Sequence, residues 1–148
     1  MRKYYLAYGS NLDVEQMIRR CPGAIKIGAA ELEGYHLVFR SNIRGLGVAN
    51  IEPRAGCSVP VGIWSVTAGD EAALDRYEGF PRLYRKEWFT VRVNSRPVSV
   101  MAYVMTPSHR KTAPSPSYLG IIKQGYKDFG FNTRRLLYAA RVKEERNV

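Results

Sequence analysis

The chain is poor in the residues that build metal sites and disulfide frameworks: it holds two cysteines and two histidines. Cys21 and Cys57 allow one disulfide at most and form no Cys-x-x-Cys pair, so they read as reduced thiols of a cytoplasmic protein. His36 and His109 stand far apart and belong to no ligand spacing, which speaks against zinc. Long apolar runs are lacking as well. No stretch approaches ~20 consecutive apolar residues, and the segment from Met1 to Gly9 turns polar too early for the apolar region of a signal peptide. Neither a membrane-spanning nor a secreted protein is expected.

Negative charge is the scarce sign, with 13 Asp and Glu against 23 Lys and Arg and a formal net charge of +10. Such a surplus suits nucleic-acid phosphates, whose counterions it would release. Yet the basic residues are dispersed: Arg19-Arg20, Arg82, Arg85-Lys86, Arg92, Arg96, Arg110-Lys111, Arg134-Arg135 and the stretch Arg141 to Arg146 share no single run. A solvated basic surface that draws in anionic small molecules is the favoured reading, and nucleic acid is not the expected partner. A non-catalytic basic binding module stays as the alternative of another class. With 148 residues, 45% of them apolar, and no repeat or linker, one packed domain over 1–148 is expected.

Seven β-rich runs are predicted as strands: Lys3 to Tyr8, Ile25 to Leu32, Tyr35 to Arg40, Gly47 to Ile51, Val61 to Val66, Arg85 to Val93 and Val98 to Met105. Asn94-Ser95-Arg96-Pro97 reads as a hairpin turn, so the sheet should be mainly antiparallel, and so many strands in so short a chain should curl into a small mixed barrel with flanking helices, an α+β fold. Helices are predicted from about Asp13 to Arg20, capped by Asn11 or Asp13, and from Thr67 to near Tyr77, where Thr67 and Asp70 form a capping box and Gly79 closes the end. A third starts at Ser115-Pro116 and repeats Tyr118, Ile121, Ile122, Gly125, Tyr126 and Phe129 at helical spacing, and a fourth runs from Thr133 to about Val142.

Three groups of residues could carry chemistry. The strand ending in Leu6-Ala7-Tyr8 enters Gly9-Ser10-Asn11, which opens the first helix, and a glycine turn before a helix N-terminus can cradle an anion on free N–H groups. Glu78 falls at the C-terminal end of the second helix between Tyr77 and Phe80. The helix dipole and loss of water would both raise its pKa, as a general acid/base requires. Tyr84, Tyr103 and Tyr118 bear hydroxyls near these segments. Ser10 makes a poor nucleophile, since it lies in no Gly-x-Ser-x-Gly elbow and no histidine is placed to activate it.

Tyr5-Leu6-Ala7-Tyr8-Gly9-Ser10-Asn11-Leu12 resembles the Tyr-Gly-Ser-Asn loop of gamma-glutamylcyclotransferases, and Leu74-Asp75-x-x-Glu78-Gly79 resembles the segment bearing their catalytic glutamate. Gly62-Ile63-Trp64, Tyr103-Val104-Met105-Thr106 and Ala113-Pro114-Ser115-Pro116-Ser117-Tyr118 follow in the family's order. The resemblance implies the cyclotransferase fold and a reaction in which a γ-glutamyl group closes to 5-oxoproline and expels an amine or amino acid. It implies Glu78 as the acid/base, a substrate-binding loop of Ala7, Tyr8, Gly9, Ser10 and Asn11 acting through backbone groups, and substrate contacts from Tyr118 and Tyr84. The implied partner is a small γ-glutamyl molecule, with no cofactor, no metal and no membrane, while a homodimer stays open. The sequence does not separate γ-glutamyl amino acids from γ-glutamylamines or from a biosynthetic intermediate that loses a γ-glutamyl group.

Overall fold

A computed structural model describes residues 1–141. Its strands are β1 (Arg2–Ala7), β2 (Ile25–Ser41), β3 (Gly47–Thr67), β4 (Tyr84–Val93) and β5 (Arg96–Met105), and its α-helices are α1 (Val14–Arg20), α2 (Ala68–Glu78), α3 (Pro116–Phe129) and α4 (Arg134–Ala140). The strands form one sheet in the order β2-β3-β1-β5-β4, antiparallel except where β1 runs parallel to β5 with Tyr5 opposite Met101. Asn94 and Ser95 both take positive φ, 50° and 66°, which makes the β4–β5 connection the two-residue hairpin that the alternation on either side predicts.

Two expectations are corrected by this topology. The predicted runs Ile25 to Leu32 and Tyr35 to Arg40 are one strand, as are Gly47 to Ile51 and Val61 to Val66, because the chain bulges at Glu33/Tyr35 where a turn was expected and the β2–β3 ladder resumes beyond it. Gly34, at φ 79°, absorbs that bulge. The sheet also does not close into a barrel. Its edge strands β2 and β4 meet through side chains, with the Tyr35 and Phe89 rings edge to face at 5.3 Å, and rings packed between two backbones prevent the ~4.8 Å approach of a hydrogen-bonded ladder.

The core gathers Leu6, Phe39, Ile51, Ile63, Trp64, Met101 and Ile122, all essentially buried. The helix signals are realised locally. Thr67 and Asp70 complete the capping box of α2 and Gly79, at φ 66°, ends it. Ser115 caps α3, whose first residue is Pro116, and Gly130 stops it. Asp13, and not Asn11, caps α1 by accepting from the Gln16 N–H. The predicted end of the fourth helix at Val142, with the basic residues after Arg141, lies outside the described residues. No helix among those described is long and apolar enough to cross a membrane.

Candidate active site

Between β1 and α1 the chain makes a single 3₁₀ turn, Ser10–Leu12, closed by the Leu12 N–H on the Gly9 carbonyl at 3.0 Å and the Asp13 N–H on the Ser10 carbonyl at 3.1 Å. Among the described residues the amides of Gly9, Ser10 and Asn11 meet no backbone or side-chain acceptor. These are the amides on which the sequence places an anion cradle, and they stand before α1 rather than in its first turn. Asp13 takes the Gln16 amide and Asp128 takes the Val14 amide at 3.0 Å, so carboxylates of the chain itself already occupy that helix end. The free amides belong to the turn before it.

Glycines let this turn sit where it does. A Cβ on Gly125 of α3 would lie 2.5 Å from Leu12 Cβ and 2.6 Å from the Asp13 nitrogen, so only glycine admits the turn so close to α3. The side chains of the turn are tied into the scaffold. Asn11 donates from Nδ2 to the Tyr5 hydroxyl at 2.9 Å, while its Oδ1 accepts from Arg20 Nη1. The Arg20 guanidinium in turn lies 3.4 Å from the centre of the Tyr77 ring, and the Tyr77 hydroxyl is 2.8 Å from Ser10 Oγ. Ser10 and Asn11 thus spend their side chains on neighbours and present their backbone to the space beyond.

That space is a cavity of about 260 Å³. Gly9, Ser10 and Asn11 line it together with Tyr5, Tyr8, Tyr84, Tyr103, Tyr118 and Glu78, and Asn42, Val48, Ala49 and Leu83 complete its wall. Glu78, the last residue of α2, reaches it with a carboxylate that accepts no hydrogen bond from any described residue. Burial pushes its pKa from 4.5 up to about 7, and the positive charge of Arg20 opposes the rise. Tyr77 shares in lining the cavity, as the sequence suggests, but Phe80 does not. Its ring packs edge-on against Tyr103 and carries the Lys86 ammonium 4.3 Å above it. One turn before Glu78, Asp75 accepts the Tyr103 hydroxyl at 2.5 Å and pairs with Lys86 at 2.9 Å, which fastens the end of α2 to β4 and β5.

The tyrosines have defined partners. Tyr84 donates to the Ala49 carbonyl at 2.6 Å, and Tyr118 accepts from the Ala49 N–H at 3.1 Å, so the backbone of one β3 residue holds both hydroxyls. Tyr8 donates to the Tyr103 carbonyl at 2.6 Å. Burial raises the pKa of Tyr5, Tyr8, Tyr84 and Tyr118, which keeps all four neutral at physiological pH.

Of the residues singled out in the sequence, Tyr8, Gly9, Ser10, Asn11, Glu78, Tyr84 and Tyr118 converge on this cavity. Ala7 does not line it. Its place is in the β1–β3 ladder opposite Gly62, with 1% exposure. Sequence reasoning missed Ala49, Asn42 and Arg20. Ala49 and Arg20 act through a backbone group or behind the wall, and neither position carries a local signal. Asn42, which follows β2, had one usable sign, an Asn two residues before an Arg-Gly turn, where its Oδ1 accepts from the Arg44 and Leu46 amides.

A family model described as gamma-glutamyl cyclotransferase, AIG2-like, matches residues 5–122. Gamma-glutamylcyclotransferases of Bos taurus and Mus musculus are each 30% identical to the chain, with 85% of this chain and 71% of theirs aligned. The solved structure of a gamma-glutamyl cyclotransferase superposes with a TM-score of 0.85 at 25% identity, covering 98% of this chain and 90% of the other. YkqA of Bacillus subtilis shares the fold at a TM-score of 0.81 and 17% identity, over 97% of this chain and 56% of its own.

Proposed function

The chain belongs to the gamma-glutamyl cyclotransferase, AIG2-like family and is an enzyme of that type, and from this membership we propose that it cyclises a γ-glutamyl amino acid or amine to 5-oxoproline with Glu78 as general acid/base. What supports the reading is the placement of one unpaired carboxylate, its pKa raised by burial to about 7, in the same cavity as the three free amides of residues 9 to 11.

The reaction is intramolecular. Glu78 takes a proton from the substrate's α-ammonium, and the freed amine attacks its own γ-carbonyl carbon. The carbonyl oxygen becomes an oxyanion facing the amides of the Gly9-Ser10-Asn11 turn. Glu78 then returns the proton to the leaving nitrogen as the γ-amide bond breaks, and takes from the ring nitrogen the second proton that it sheds on becoming an amide, passing it to the released amine; the products are the five-membered lactam and an amine or amino acid that departs as its ammonium. A carboxyl group that titrates near neutrality suits these transfers in both directions, since neither protonation state is then rare. Tethering the reactants contributes an effective molarity of roughly 10⁵ M or more when the chain is held folded. One oxyanion donor typically contributes ~3 kcal/mol. These steps call on no cofactor, and the partner is a small γ-glutamyl molecule.

The test is to incubate the purified protein with a panel of γ-glutamyl amino acids and γ-glutamylamines and to measure 5-oxoproline. Release from at least one member is expected. Silence across the panel, from a folded sample, would refute the reading.

A further inference from the structure

We infer that the Tyr8 and Tyr84 hydroxyl oxygens, with the Glu78 carboxylate, form the acceptor site for the α-ammonium of the substrate, whereas the Tyr5 and Tyr118 hydroxyls donate to its carboxylate or carbonyl oxygens. The inference rests on the γ-glutamyl reading above and assigns roles inside that same cavity. A phenolic hydroxyl has one proton and two lone pairs. Tyr8 has committed its proton to the Tyr103 carbonyl and Tyr84 has committed its own to the Ala49 carbonyl, both at 2.6 Å. Each can face a ligand only as an acceptor. Tyr5 and Tyr118 are the reverse case: each already accepts, from Asn11 Nδ2 at 2.9 Å and from the Ala49 N–H at 3.1 Å, and neither proton has an acceptor among the described residues.

The cavity thereby offers two kinds of neutral hydroxyl, acceptors and donors. Tyr8, Tyr84 and Glu78 line the same cavity, and Glu78 bears electrostatically on both tyrosines as it does on Tyr5 and Tyr118, so the three acceptors face one bound molecule. They match an ammonium, which is a donor with three N–H bonds and no lone pair. No Lys or Arg among the described residues lines the cavity, so a carboxylate there depends on neutral donors. The free donors are the amides of residues 9 to 11, and Tyr118 joins them: its hydroxyl lies 3.7 Å from the point where a Cβ on Gly9 would stand. When Glu78 removes one ammonium proton, the two remaining N–H bonds stay on Tyr8 and Tyr84, which holds the neutral amine in place for attack.

L-Glutamate and glutarate differ only in the α-amine, and each can be assayed as a competitive inhibitor of 5-oxoproline release. Tyr8→Phe and Tyr84→Phe are expected to weaken inhibition by L-glutamate roughly tenfold or more, as loss of a hydrogen bond to a charged group implies, and to leave glutarate within about twofold of wild type. An equal loss for both inhibitors would assign the hydroxyls a purely structural role and overturn the inference, as would no loss for either. Tyr84→Phe also strips a partner from the Ala49 carbonyl. Should that variant not fold, Tyr8→Phe, which does not touch Ala49, carries the test alone. A wild-type protein that releases no 5-oxoproline from any γ-glutamyl compound would refute the underlying reaction, and the ammonium site with it.

Discussion

Replacing Glu78 with Gln should make the protein more stable above neutral pH. In the folded state burial raises the Glu78 pKa from 4.5 to about 7. Between those values the native chain holds a proton that the unfolded chain has released, so stability falls as pH rises through the window and levels off above it. At about 1.36 kcal/mol per pH unit, the rise corresponds to about 3 kcal/mol of native-state destabilisation once Glu78 is ionised. Glutamine has nearly the same shape and never ionises, so its folded form escapes that penalty. Urea unfolding of wild type and Glu78→Gln across about pH 4.5 to 8 measures the difference directly. Equal stability is expected at the acid end, with the variant gaining progressively up to ~3 kcal/mol by about pH 8, and the denaturant slope should be unchanged. A gap that stays constant with pH, or that favours wild type at about pH 8, would refute the view that Glu78 is held desolvated against its own charge.

Tyr118→Phe should lower kcat/KM several-fold without unfolding the protein, since one neutral hydrogen bond contributes ~1 kcal/mol and the ring keeps its edge-to-face contact with Phe39; unchanged kinetics on every γ-glutamyl substrate would return Tyr118 to a packing role. Gly125→Ala should cost ~1–3 kcal/mol of stability and reduce activity with it, because the new methyl would stand 2.5 Å from Leu12 Cβ and push the amide-bearing turn away from the cavity; thermal unfolding and turnover measured together check both effects. Any binding of DNA or RNA should be weak, indifferent to sequence and lost with rising salt, as counterion release dictates for dispersed charge. Anisotropy titrations across a salt series would contradict that expectation if they found a sequence-selective complex at physiological ionic strength.

Features set by adjacent residues were the most legible. The Asn94-Ser95 hairpin, the Thr67/Asp70 capping box and the Ser115-Pro116 helix start each depend on a few neighbouring side chains acting on the local backbone. Strand continuity was harder, because the Glu33/Tyr35 bulge carries the same Gly signal as a turn and only pairing with β3 decides between them. Barrel closure failed for a related reason: whether Tyr35 and Phe89 interleave or make way for a ladder is settled by distant segments. At the site, Glu78 and the Gly9-Ser10-Asn11 turn stood out by residue type, but nothing local joined them across nearly seventy residues except the family resemblance. The Ala49 backbone that fixes Tyr84 and Tyr118 was invisible, since backbone groups leave no trace in residue identity. The free amides lie in the Gly9-Ser10-Asn11 turn that the local pattern names, but the end of α1 itself was not legible, because Asp128, far along the chain, takes the Val14 amide.

The proposed role of Glu78 is tested most directly by single-turnover and steady-state release of 5-oxoproline from a γ-glutamyl substrate by wild type and Glu78→Gln, at saturating substrate and with binding measured in parallel. The expected result is a loss of roughly 10²- to 10⁴-fold in kcat with substrate affinity largely kept, because the amide preserves shape and hydrogen bonding but cannot take the ammonium proton. A Gln variant that retained more than about a tenth of the wild-type kcat would contradict the assignment of Glu78 as the acid/base.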